Sequence, residues 1–436
     1  MLLRFEVSNY RSILDPVELS MIAVDKDRAA AREFELLAER VLSIAGIYGP
    51  NASGKSNLVE AIAWLSRAVG RSLRAWDEFI PREPFKFGQG PKTPSTYEVE
   101  MVIEGVRYAY RVDVDDSAVL FEGLYSYPER RRRVLFERED LEIRFRRGLG
   151  TLAGTRELLT PTTLALSAAM RFNEPEVQPF GHALAGIQVL GVRRRTQWPR
   201  GLMPGGPGIS RTERLFDERG PSMQSSLFDD PDSALSNPRE SALALLRFAD
   251  LGIDDVQIVQ DEADEAYTST LPPRGPQRHL RLMHRVAGQD VDMPFDLDEE
   301  SAGTRTWFQL IGPTLSALRS GRILLIDEID ASLHPRLSAR LLELFQDLET
   351  NPFGAQLIFT THDTSLLNYL NRDEVWLTEK GESGATTLSA LAEFGGDKVR
   401  RSLNLEKAYL QGRFGAVPEL DQFILRQALG LVSSDA

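Results

Sequence analysis

Residues 49–56 read Gly-Pro-Asn-Ala-Ser-Gly-Lys-Ser, an octapeptide that has to sit between a buried strand and a helix. The segment before it, Val41 to Tyr48, is largely apolar and predicts a strand. After it, Leu58, Ile62, Leu65 and Val69 recur at helical spacing. Glycines let successive N–H groups curl around an anion, and a helix N-terminus adds its positive dipole end. Asn51, Ala52, Ser53, Gly54, Lys55, Ser56 and Asn57 are therefore the expected contacts for ATP, with Lys55 bridging the β- and γ-phosphates and the Ser56 hydroxyl on Mg2+. In a chain of 436 residues a chance match has a probability on the order of 0.02, so coincidence is set aside.

A second site element lies far along the chain. Ile323 to Ile326 are all apolar, as a strand buried on both faces requires, and Asp327 and Glu328 follow at once. In open α/β sheets ligands bind at the C-terminal strand ends. Asp327 is expected to hold magnesium there, and Glu328 to take a proton from water as general base. The next predicted strand, Gln356–Thr361, runs into His362 and Asp363, which places His362 on the same edge, suited to orienting water or sensing the γ-phosphate.

Elsewhere the pattern changes. Tyr97, Val99, Met101 and Ile103 recur at period two and face one way, a Glu-Gly turn follows, and residues 95–147 predict an antiparallel meander. Residues 155–190 look mostly helical, and 201–238 are rich in Gly, Pro and Ser, as in a mobile loop. Helical spacing returns at Glu240 to Phe248, and again in Trp307, Phe308, Ile311, Leu315 and Leu318. The absence of cysteine excludes disulfides and thiolate chemistry, and no apolar run is long enough to span a membrane. The N-terminus alternates like a strand and lacks a signal peptide's apolar core, so a cytoplasmic location is expected. A net charge of −13 repels nucleic acid, so DNA or RNA binding would need a local basic patch. Arg130, Arg131, Arg132, Arg133, Arg138, Arg144, Arg146 and Arg147 offer one, unless they form a solvated hairpin paired with Glu129, Glu137, Glu139, Asp140 and Glu142.

Together FEVSNYRSI, GPNASGKSN, ESAGT, LLIDEIDASLHP and TTHD resemble the ABC-type ATPases of the SMC and RecF class. More narrowly, the set is similar to the AAA-family ATP-binding proteins of bacterial anti-phage defence, including the ATPase domains of OLD-family nucleases. The resemblance covers roughly residues 1–70 and 295–415. It implies an α/β, ABC/SMC-like P-loop ATPase head with an antiparallel β subdomain and a helical insertion, without a long coiled coil. In these terms residues 1–150 are an N-terminal ATPase lobe, 151–290 a mainly helical insertion, and 291–436 a C-terminal lobe with the signature loop.

In that class two heads sandwich ATP. The resemblance implies that Ser301 and Gly303 of one chain contact the γ-phosphate held by another, while Ser301 also reads as a helix N-cap. It further implies that Arg11 lies near the nucleotide and that Asp330 to Pro335 form the loop communicating between the two sites. The glutamine that such ATPases use between lobes has no clear counterpart, Gln89 being a poor match. The stretch Tyr409 to Pro418 resembles the tails of the defence ATPases. No acidic cluster resembles a nuclease module, and the five histidines include no metal-spaced pair. The expectation is a homo-oligomeric ATPase, a sensor or scaffold of an anti-phage defence system, that gates a separately encoded effector, a nuclease. A RecF-like repair ATPase and a nucleotide-dependent interaction module with little turnover are the alternatives.

Overall fold

The computed structural model describes residues 1–25, 31–34, 37–192, 210–217, 237–249, 252–260, 278–285, 292–394 and 404–416. Its centre is a six-stranded sheet in the order Gln188–Leu190, Ile323–Ile326, Gln356–Thr360, Ile44–Tyr48, Val375–Lys380, Thr386–Ala390. The first five strands run parallel and the last is antiparallel to its neighbour. Ile44–Tyr48, Ile323–Ile326 and Gln356–Thr360 are buried at every residue, which explains why their sequences show no alternation. The phosphate loop and the Asp327 turn leave the C-terminal ends of strands separated by a single strand, Gln356–Thr360.

A second, seven-stranded sheet is antiparallel throughout. The expected meander, from Ser95–Ile103 to Glu142–Phe145, forms five of its strands, and Leu2–Ser8 and Val17–Ser20 extend it. The helix Lys55–Ala75 lies between the two sheets, packing on Gln356–Thr360 from one side and on Leu2–Ser8 from the other. Leu58, Ile62, Leu65 and Val69 are each at most 1% exposed, and burial of such side chains contributes about 1.5–3 kcal/mol apiece. Trp64 ties the helix to the antiparallel sheet: its ring stacks on Tyr97 at 4.4 Å, and its indole N–H donates to Pro81 O at 2.8 Å.

Two expectations need correction. The strand expected from Val41 breaks at Leu42 and Ser43: Arg40–Val41 pairs with Arg32–Glu33, and only Ile44–Tyr48 enters the central sheet. Residues 155–190 hold short helices but end in Gln188–Leu190, an edge strand whose residues pair with Leu324 to Ile326. The described residues of 151–290 hold strands as well as helices. Ile253–Gln260 and Arg278–Arg285 join Asp292–Asp296 in a three-stranded antiparallel sheet, because Leu280, Leu282 and Val256, Ile258 alternate and bury one face against the helix Pro238–Ala249. The stretch expected as a mobile loop, 201–238, lies outside the described residues except for 210–217 and its last two positions. There Ser210 and Glu213 form a capping box at the helix Arg211–Phe216.

Candidate nucleotide site

The phosphate loop is held from behind by hydroxyls. Gly54 has φ 111°, and a Cβ there would overlap Thr386 Oγ1, so only glycine serves. Ser53, expected among the cofactor contacts, turns its hydroxyl inward, 2.6 Å from Thr378 Oγ1, while its carbonyl accepts from Thr386 Oγ1 at 2.7 Å. Asn57 donates to Ser12 Oγ at 2.6 Å, and that hydroxyl lies 2.7 Å from Thr386 Oγ1. Asn51 and Ala52 are exposed at the loop tip. The helix starts with no side-chain cap and no acidic residue in its first turn, which leaves its N-terminal N–H groups for an anion. Lys55 is buried, with Nζ donating to Gly49 O at 2.8 Å and Pro50 O at 3.0 Å. Burial lowers its pKa to about 8, against the opposing pull of Asp327, Glu328 and Asp330.

The sheet edge beyond Ile323–Ile326 is stitched together by the two threonines that precede His362. Thr360 donates to Asp327 Oδ1 at 2.6 Å and accepts from Glu328 N at 2.8 Å. Thr361 donates to Asp330 Oδ1 at 2.8 Å, and His362 N also reaches the Asp330 carboxylate. Glu328 has φ 55°, an uncommon conformation for a residue with a Cβ, and is exposed at the sheet edge. His362 is exposed on the same edge, and Ser56 is half-buried in the first turn of the phosphate-loop helix. A buried lysine, uncapped helix N–H groups, a hydroxyl and a carboxylate pair are a donor set that fits ATP and magnesium. Lys55 and the helix N-terminus would hold phosphates, and Ser56 and Asp327 the metal. When bound, the ion would neutralise charge on the phosphate oxygens.

Other expected residues lie differently. The Arg11 guanidinium is engaged by Glu83, at 2.9 and 3.1 Å, and by Glu60 of the phosphate-loop helix, while the next residue, Ser12, meets the first turn of that helix at Asn57. Ser301 caps the helix Ala302–Ser320, accepting from Thr304 N at 3.1 Å, and is exposed. A Cβ on Gly303 would lie 3.1 Å from Ser332 O, which puts residues 300–304 against the loop after Ile323–Ile326 of the same chain. His284 braces the same place through a 2.6 Å hydrogen bond to Glu300. Gln89 is an exposed residue ahead of the short turn Gly90–Lys92.

The arginine hairpin is sorted by its own pairing. Glu142 faces Glu139 at the tip, with Asp140 between, while Arg131 to Arg133 and Arg146 to Arg147 gather at the other end. Arg138 does not belong to the surface. It is fully buried, 3.7 Å from Glu122 and donating to Thr160 O at 2.8 Å. Arg132 lies 4.0 Å from the Tyr125 ring and 3.6 Å from Glu137.

Thr360, Thr378, Thr386 and Ser12 are site residues that the motifs did not single out. Thr360 stood inside the TTHD stretch. Thr378 and Thr386 carry no local signal, because they reach the loop only through sheet pairing.

Over residues 44–368 the chain matches the family model described as "AAA domain, putative AbiEii toxin, Type IV TA system". No curated protein matches it. Similar solved structures include the SmcHead bound to the C-winged helix domain of ScpA, at 14% identity, covering 89% of this chain and 97% of that one, with TM-score 0.43. Another is the SMC head domain from Thermotoga maritima, at 12% identity, covering 89% of this chain and 98% of that one, with TM-score 0.38. The family match spans the phosphate loop, the Ile323–Ile326 strand and the His362 turn, and the chain belongs to this AAA domain family.

Proposed function

We propose that this chain is a cytoplasmic, homo-oligomeric ATPase that binds ATP with magnesium, hydrolyses it, and through turnover gates a separately encoded effector, a nuclease, in an anti-phage defence system. The observation that carries the ATPase reading is the meeting of Lys55, Asp327, Glu328 and His362 at one sheet edge, with Thr360 bonded to both catalytic-strand residues. Glu328 acts as general base towards water, and His362 stands by the γ-phosphate. The family's description as a toxin of a TA system supports a role in defence and in a multi-component assembly. A second reading, a RecF-like repair ATPase, draws on the arginines gathered at one end of the hairpin.

The test is phosphate release by the full chain beside Glu328→Gln and Lys55→Ala. Glu328→Gln should retain ATP and lose about 10² or more in kcat, the range for general-base loss. Lys55→Ala should lose ATP binding. Wild-type release no faster than that of Glu328→Gln would sink the hydrolysis reading. Phage plating on cells carrying the chain with its neighbouring gene, wild type against Glu328→Gln, tests the defence role, and equal plating would refute it.

A further inference from the structure

Residues 404–416, the described part of the C-terminal stretch, have no role in the site as set out above. They fold as the short helix Leu405–Leu410, capped by Asn404, and a turn through Gly412 and Gly415. An isolated helix of six residues is unstable in water, so its position depends on what it touches. It touches three neighbouring strand ends.

The first is the turn after His362. Glu406 accepts from Thr364 Oγ1 at 3.3 Å and from Asn368 Nδ2 at 2.7 Å, on the segment Thr364–Tyr369. The second is the phosphate-loop strand: the Tyr409 ring meets the edge of Tyr48, its last residue, with centroids 6.1 Å apart. The third is Val375–Lys380. Tyr409 OH donates to Ala416 O at 2.6 Å, and Ala416 N donates to Glu379 Oε1 at 2.6 Å. Glu379 directly follows Thr378, whose hydroxyl holds Ser53 and the Tyr48 carbonyl. A Cβ on Gly415 would overlap the Glu379 carboxylate, so the turn closes on it only with glycine, at φ 70°. In the sheet the phosphate-loop strand lies between the other two.

The Asp330 carboxylate grips the His362 turn from one side, through Thr361 and His362 N. Glu406 grips its continuation from the other. We infer that residues 404–416 are a positioning strap for hydrolysis, in which Glu406 and Tyr409 hold the His362 turn in register with the phosphate-loop strand. This rests on the ATPase reading. Glu406 bonds to Thr364 and Asn368 and makes none of the contacts that hold Lys55, so its loss acts on turnover and spares ATP binding.

The experiment uses the full chain with Glu406→Ala, Glu406→Gln and the pair Thr364→Val with Asn368→Ala, reading kcat, ATP Kd and amide hydrogen exchange over 361–369. Loss of hydrogen bonds to a carboxylate predicts a kcat lower by about tenfold in Glu406→Ala, with Kd within about twofold. Exchange over 361–369 should quicken several-fold. Glu406→Gln should recover most of the activity, because its amide oxygen accepts from Asn368 and its amide nitrogen can donate to Thr364. The double variant removes the same bonds from the other side and should reproduce Glu406→Ala even if that variant folds poorly. Unchanged kcat and exchange would overturn the strap, as would Kd weakening in step with kcat and a fallen Tm. Wild-type chain without Glu328-dependent turnover would instead overturn the ATPase reading, and the strap's catalytic role with it.

Discussion

The Thr360 hydroxyl joins Asp327 and Glu328 into one unit, donating 2.6 Å to the Asp327 carboxylate and accepting 2.8 Å from the Glu328 amide. Both partners directly follow the neighbouring strand Ile323–Ile326, and Thr360 itself is fully buried. Thr360→Val keeps the volume and removes both bonds. A hydrogen bond to a charged group contributes about 1.5–3 kcal/mol, so kcat should fall about 10- to 100-fold. Thr360→Ser should keep most of the activity. Steady-state kinetics with separate ATP binding decides it: kcat within a factor of about two of wild type would remove Thr360 from the catalytic unit.

Lys55 carries a pH signature. Its pKa is lowered from 10.5 to about 8 by burial. Between those values the unfolded chain binds more protons than the folded one, so this residue makes stability rise with pH across the window from about 8 to 10.5. Triphosphate favours the ammonium form, so ATP binding should take up protons at and above pH 8, on the order of half a proton or more at pH 8.5. Calorimetry in buffers of different ionisation enthalpy measures this directly. Uptake that fails to grow from pH 7 to pH 9 would contradict the assignment.

Ser301 and Gly303 stand at an exposed helix N-terminus with no acidic residue in its first turn. If each chain completes its partner's site, the arrangement is two-fold and each gives what it receives. Mixing inactive Lys55→Ala with inactive Ser301→Arg should then restore activity, up to one working site in each hybrid dimer. A mixture that stays inactive while the chains demonstrably exchange would show that each site is complete within one chain.

At the hairpin, Arg131, Arg132 and Arg133 are exposed, away from the acidic tip formed by Glu139, Asp140 and Glu142. Replacing the three with glutamate should weaken binding to a short DNA duplex and reduce the salt slope by up to about 3, one counterion for each lost phosphate contact. If affinity and slope both stay as in wild type, this end of the hairpin is solvated surface and does not bind DNA.

Much of the site was legible because its parts are short-range chemistry. Gly54, Lys55 and Ser56 are adjacent in sequence, and an apolar run ending in Asp327 and Glu328 places both at a strand's C-terminus whatever surrounds it. Helical spacing likewise reported the buried face of Lys55–Ala75, since periodicity and burial share one cause. Other features depended on strand pairing, which no local pattern encodes. Thr378 and Thr386 reach the phosphate loop only because Val375–Lys380 lies beside Ile44–Tyr48, and Gln188–Leu190 became a sheet edge only because Ile323–Ile326 was there to pair with. Charge shows the same divide. Arg138 reads like its neighbours in the chain, yet the antiparallel pairing of its strand turned it inward against Glu122, where burying a charge requires a partner, and left Arg131 to Arg133 in water.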